Sequence, residues 1–573
     1  METLASRRKD QAPPNISLRS PDVVMRLSRM GAFHQSRLSF LRVLLRKLKK
    51  ENWHFDRPLW RIDSEGVGVA IYCARGPDSI YSLIIYSHNL KDEQRSDRVI
   101  AKAWDATFVL FDGEATEEEI VRLNSNVPLQ EAGRISETEL ILGRANKSLR
   151  LFSYVRKCLA SGSQPKKSVI DEIGYLMRTT AVYGAGKFGA ADMNCWKKRS
   201  EFSGSFQPEM LAIWLTRMFS VDLVEHMART DSPMSYVRLD PQIRRQLGIG
   251  NATGLGMAPF LINHPTLIHS WINARETALA RVRSLDSADT ALLRDFQTLI
   301  RRAKLNQENW KVDDPKQFNK VKRLGNDLDA LLKKTLELTD ATRYPWNVLF
   351  VWSMEHMSIE GQEALISLMM EPFGYLIDDL SSTMSADETK LNRINGKQTT
   401  FELIKIVHET YDWAARIDFN TNSERGRIWY ISDEKLEPRL GERFSEELDR
   451  FEQPLSPGYD AMRLMKDLEH SKKCSNVAEF LLLFPEHRHI IRRVQTVSKM
   501  KYAEIRDNTI SADMIPVDLL RFKLSFFGAT NFDPRSDRWL RINLFQHMPF
   551  PDEMSDLDPD DMVFPQLIDQ EYC

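Results

Sequence analysis

Two glycine-rich stretches carry the residue types that could hold an anion and act on it. The first, VYGAGKFGAAD (182–192), contains Gly184, Gly186 and Gly189 with Lys187 between them. Glycines at that density let successive backbone N–H groups converge on an oxyanion, and the lysine adds a full charge. Thr179, Thr180 and Tyr183 add hydroxyls beside it. The second, GIGNATGLGMAPFLINHP (248–265), interleaves four glycines (248, 250, 254, 256) with Asn251 and Thr253, then runs into His264-Pro265. Pro265 suits the first position of a helix, where free N–H groups favour negative charge. Within that helix His269, Asn273 and Glu276 fall at i, i+4 and i+7 on one polar stripe, with Arg275 beside them.

The chemistry these residues suggest is acid–base catalysis on a carboxylate- or phosphate-bearing small molecule. Lys187, Gly184, Gly186, Gly189, Asn251, Thr253 and Arg275 are the expected ligand-binding set. His264 or His269 would exchange the proton, because imidazole titrates near neutrality, and Glu276 would orient or assist a histidine. Cys195 offers a thiol, but a lone cysteine usually serves as a small buried hydrophobe. No cofactor is named by these letters.

Known phosphate motifs fit poorly. A dinucleotide fingerprint needs a strand feeding its first glycine and a helix leaving its last. Upstream, Val169, Ile173, Leu176 and Met177 follow helical spacing, and only TTAVY reads as strand. A P-loop would require a glycine where Ala181 stands and a hydroxyl where Phe188 stands. What remains is a general anion nest, or a tight turn with the same letters.

Metal ligands are no better supported. His487-Arg488-His489 shares a face only on a strand, whereas PEHRHIIRRVQTV reads as helix. Glu355, His356, Glu360 and Glu363 lack the second Glu-x-x-His helix of a di-iron bundle. The expectation is no metal.

The elements that must position these groups belong to an α+β, helix-dominated chain. Of its 573 residues 42% are hydrophobic and 28% charged, and the net charge is −1, which gives no general pull toward nucleic acid or acidic membrane. Five scattered cysteines without a C-x-x-C pair point to free thiols in a reducing compartment, and the polar N-terminus is no secretory signal. No run of about 18 apolar residues occurs. A cytoplasmic location without membrane contact follows as the expectation.

Residues 1–22 read as a mobile tail. Region 23–160 is expected to combine a basic helix (36–50), with Leu38, Leu41, Leu45 and Leu48 on one stripe, and a small antiparallel sheet. That sheet is a three-stranded meander turning at Gly76-Pro77-Asp78 and ending in VIAKAWDATFVLFDG, with helices after it. Region 161–415 is a helical domain holding both glycine stretches, a core run at 348–377 and a helical hairpin (286–338). Leu292, Phe296, Leu299 and Ala303 in the hairpin face Val321, Leu324, Leu328 and Leu331, spacing that suits packing or a homodimer seam. Region 416–573 is mixed, with a strand at 427–435 and an acidic tail.

The ends are oppositely charged. Residues 23–50 carry eight basic groups and no acid, and eight acids follow Arg541 with no Lys or Arg. The alternative function is therefore a non-catalytic assembly or nucleic-acid-associated role for the basic helix and hairpin. Nucleic acid is not the expected partner, because no aromatic RNA-type motif is interleaved with the charges.

Overall fold

The computed structural model describes residues 16–91, 103–129, 135–179, 199–202, 206–251, 264–384, 392–419, 427–432, 437–442, 453–454, 456–471, 474–508, 516–528, 533–534, 540–556 and 559–565. Its central feature is one large sheet. Strands β1 (His54–Ile62), β2 (Gly68–Arg75), β3 (Ile80–Ser87), β4 (Ala106–Asp112) and β5 (Glu139–Lys147) form an antiparallel meander. Next come β6 (Tyr175–Thr179) and β7 (Gly248–Asn251), which pair in parallel. Strands β8 (Arg427–Ser432), β9 (Glu437–Glu442) and β10 (Gln453–Pro454) make a separate small sheet. The two-residue β11 (Asp533–Pro534) lies outside β12 (Leu540–Leu544), which pairs with β7 and closes the main sheet from far along the chain.

The α+β reading therefore stands, but the small N-terminal sheet is corrected. The expected meander is β2–β4, and it is only part of a mixed sheet that recruits β6, β7 and β12. Alternate residues of the middle strands face two different cores, as a two-residue period requires. Tyr72, Leu83, Ile85, Phe108 and Leu110 join the main core, whereas Cys73, Ile84, Val109 and Phe111 pack under Ile120 and Leu123 of a short helix. With both faces covered, these strands read as nearly continuous apolar runs.

Seven helices position the chemistry: α1 (Phe40–Lys50), α2 (Gln207–Asp231), α3 (Pro265–Arg283), α4 (Thr290–Glu308), α5 (Pro315–Thr335), α6 (Ile359–Met370) and α7 (Pro516–Phe527). Helix α2 connects β6 to β7, the helical crossover that a parallel pair demands. Its Phe219 packs on Trp60 and Tyr72 of the meander.

Helix α1 buries Leu41, Leu45 and Leu48 as their spacing predicts, but several basic groups on it, and Arg37 just before it, are turned to internal partners. Arg37 pairs with Asp378 at 2.7 Å, Arg42 donates to the Met562 carbonyl at 2.7 Å, and Lys47 donates to the Glu201 carbonyl at 2.6 Å. Among the basic residues of α1 itself only Lys50 is exposed. The acidic tail folds back too: Asp552 pairs with Arg244 at 3.0 Å, and Glu553 and Asp561 both pair with Arg245 at 3.1 Å.

The hairpin α4–α5 is present. Phe296, Ile300, Val321, Leu324, Leu328 and Leu331 are buried in the chain's own core. A second apolar cluster holds Leu403, Tyr411, Leu464, Phe480 and Val494. No helix among the described residues is long and apolar enough to cross a membrane.

Candidate functional site

The parallel register sets the geometry of the glycine-rich stretches. Thr179, the last residue of β6, is the register partner of Asn251, the last residue of β7. Both stretches thus leave the sheet at neighbouring positions on the same edge, the carboxyl edge of a parallel pair joined by a helix. In sheets with parallel strands that edge is where ligands gather. Gly184, Gly186, Lys187, Gly189 and Thr253 themselves lie outside the described residues.

A strand, not a helix, feeds the first stretch. Gly174 ends the helix Lys167–Ile173 in the left-handed region (φ 78°), and β6 begins at the next residue. Any Cβ at Gly174 would also lie 2.2 Å from the Asn543 side-chain nitrogen. The helical spacing of Val169, Ile173, Leu176 and Met177 spans that break, so one apparent period covers two elements.

The second stretch begins as strand as well. A Cβ on Gly250 would meet the Tyr175 ring at 2.7 Å, and one on Gly248 would meet the Leu544 carbonyl at 2.8 Å. These two glycines serve close strand packing.

Helix α2 starts from Phe206, which sits in the left-handed region at φ 63°. Its ring packs edge-on against Phe40 and Phe527, at 5.3 and 5.0 Å. The next residue, Gln207, is 1% exposed, and neither polar atom of its side chain has a hydrogen-bond partner among the described residues. Thr266, in the first turn of α3, is likewise buried, and its hydroxyl has no partner among the described residues. A buried amide or hydroxyl left unmade costs about 1–3 kcal/mol, so such groups deserve a functional question. Lys523 of α7 is fully buried, its amine lies 5.7 Å from the Phe527 ring, and burial pushes it down to about 7. Sequence reading passed over these three. The signals were slight: a Gln-Pro at a helix start, and a lone lysine among the aromatic residues of RFKLSFF.

The candidate histidines take different positions. His264 precedes Pro265 at the N-cap position of α3. Burial, reinforced by the Arg493 charge, pushes its imidazole down to about 4, so it is neutral at pH 7. Nδ1 of His269 accepts the Tyr502 backbone N–H at 3.1 Å, and its ring stacks on that tyrosine.

Arg275 and Glu276 enter a buried ionic network. Arg19 donates to Glu276 at 2.7 and 2.8 Å and to Glu363 of α6 at 2.6 Å. Arg275 and Arg29 add hydrogen bonds to Glu363 at 2.7 and 2.8 Å. Surrounding guanidiniums hold the Glu363 carboxyl far below the usual carboxylate range despite its burial. These two α3 residues thus tie the helix to the N-terminal segment and to α6.

Glu360 is likewise committed, to Arg521 and His34. Among the described residues one trio, Asp467, Glu486 and His487, comes within metal-ligating reach, and its His487 pairs with Asp467 at 2.8 Å. Comparison with known protein families, curated proteins and solved structures returns no match.

Proposed function

We propose that this chain is an enzyme acting on a small molecule that bears a carboxylate or phosphate, bound at the carboxyl edge of β6 and β7. The observation that carries the reading is the register pair Thr179–Asn251, which brings the roots of two glycine-rich stretches together. Lys187 and the backbone N–H groups of Gly184, Gly186 and Gly189 supply positive potential from the first stretch, and Asn251 and Thr253 supply polar groups from the second.

His264 is the proton-transfer group in this reading. It is neutral when the site is empty, and an anion bound beside it raises its proton affinity toward the working range. His269, Arg275 and Glu276 act as positioning residues, because they fix α3 behind His264. The partial burial of the basic groups on α1 favours this reading over one based on a polyanion surface.

The test is native mass spectrometry of the full chain to identify a co-purifying organic anion, followed by titration of inorganic phosphate and citrate. Lys187→Ala is expected to weaken anion binding about tenfold, the effect of one lost charge-assisted hydrogen bond. His264→Gln should retain the anion and lose turnover of it. Equal binding by wild type and Lys187→Ala overturns the proposal.

A further inference from the structure

We infer that the chain has a second, separate anion site: a groove beside the C-terminal half of α2 that takes an organic oxyanion, a phosphate or carboxylate on an apolar body. The groove has a volume of about 610 Å³, a size suited to a small ligand. Met218, Asp222, Glu225 and Arg229, spaced three and four residues apart, form its α2 wall. Trp60 of β1 and Arg238, from the segment after α2, line it as well.

The lining carries four arginines and four carboxylates, and they are unevenly paired. Asp222 accepts from Arg57 and from the Tyr72 hydroxyl, each at 2.7 Å. Arg244 is paired with Asp552 at 3.0 Å, and Asp56 with Arg75 at 3.0 Å. Glu225 accepts the Leu239 backbone N–H at 2.9 Å. Arg229 lies over the Tyr236 ring at 5.2 Å. Neither Arg229 nor Arg238 forms an ion pair with any described residue. Among the described residues, two guanidiniums and one carboxylate, Glu225, of this lining are thus left outside any ion pair.

Arg229 in the last turn of α2 also complements the helix dipole. Arg238 lies off the helix, has no such task, and is exposed in the groove lining. Guanidinium pairs recognise phosphate and carboxylate through forked hydrogen bonds. Trp60, Met218 and Leu239 line the same groove, which suits an apolar body and not a bare ion. This groove lies at the opposite end of α2 from Gln207, so the inference does not depend on the site at the β6–β7 edge.

Calorimetric titration of the full chain with phenyl phosphate tests it. Wild type should bind phenyl phosphate at least tenfold more tightly than inorganic phosphate at the groove, and Arg229→Ala/Arg238→Ala should weaken that binding at least tenfold. Lys187→Ala should leave it unchanged, which separates this site from the other. In wild-type protein, phenylglyoxal should label Arg229 and Arg238, and phenyl phosphate should slow labelling at those two positions. The inference is overturned by absence of saturable binding, by unchanged affinity in the double variant, by inorganic phosphate binding equally well, or by labelling that phenyl phosphate does not slow.

Discussion

The network around α3 and the groove beside α2 are both built on arginine, yet they differ in what faces the guanidiniums. In the network, Arg19, Arg29 and Arg275 share Glu276 and Glu363 within a buried region. In the groove, Arg57 and Arg244 have carboxylates, while Arg229 and Arg238 are exposed and have none among the described residues. Matched and buried charges specify how segments of one chain meet, because removing one partner strands another in low dielectric. Unmatched and solvated charges are open to another molecule.

That contrast can be broken first at Glu363. Glu363→Gln should cost about 3–5 kcal/mol in urea denaturation, since it leaves three arginines short of their shared acceptor. A loss below about 1 kcal/mol would show that the network is not what holds the N-terminal segment down. Arg229→Ala/Arg238→Ala should instead leave stability within about 0.5 kcal/mol of wild type, as exposed substitutions do.

Acid should sharpen the difference next. Burial pushes His264 and His547 down to about 4, so their neutral forms contribute stability above about pH 6.5 that erodes as pH falls toward 4. Glu363 is held far below the carboxylate range and Glu360 is pushed down to about 2. Their contribution is present above about pH 4.5 and disappears as acid protonates them, so unfolding should begin in the histidine window and steepen below it. Far-ultraviolet circular dichroism against pH reads this, and Glu363→Gln should make the lower limb shallower, leaving the share that Glu360 contributes. A profile flat from pH 7 to 3 would contradict the assignment.

The smallest effect belongs to an ordinary surface pair. Arg156→Ala breaks a partly exposed bridge to Asp231 of 2.6 Å and should cost about 0.5 kcal/mol, readable as a shift in the urea midpoint.

Much of the local structure was legible in the sequence. The leucine stripe of α1, the turn between β2 and β3, the helical hairpin, the strand at 427–432 and the start of α3 at Pro265 follow from periodicity and turn chemistry. What was hidden depends on partners distant in sequence. Leu176 and Met177 look helical until Gly174 breaks the chain in the left-handed region. Gly248 and Gly250 look like loop until Tyr175 and Leu544 press on them. The density of charged groups in α3 was visible, but not that Arg19 and Glu363 would claim Arg275 and Glu276. Counting residue types in a window shows which charges are available and says nothing of which are already spoken for.

The position of β12 has a consequence for how the protein is made. Strand β7 has β6 on one side from the moment both exist, but its other edge waits for Leu540–Leu544. A nascent chain leaving the ribosome must therefore carry β7 with one edge bare through synthesis of every intervening helix. Bare strand edges invite pairing with other chains. Production of this protein should depend on chaperone capacity during translation, and chains stopped before residue 540 should collect in the insoluble fraction.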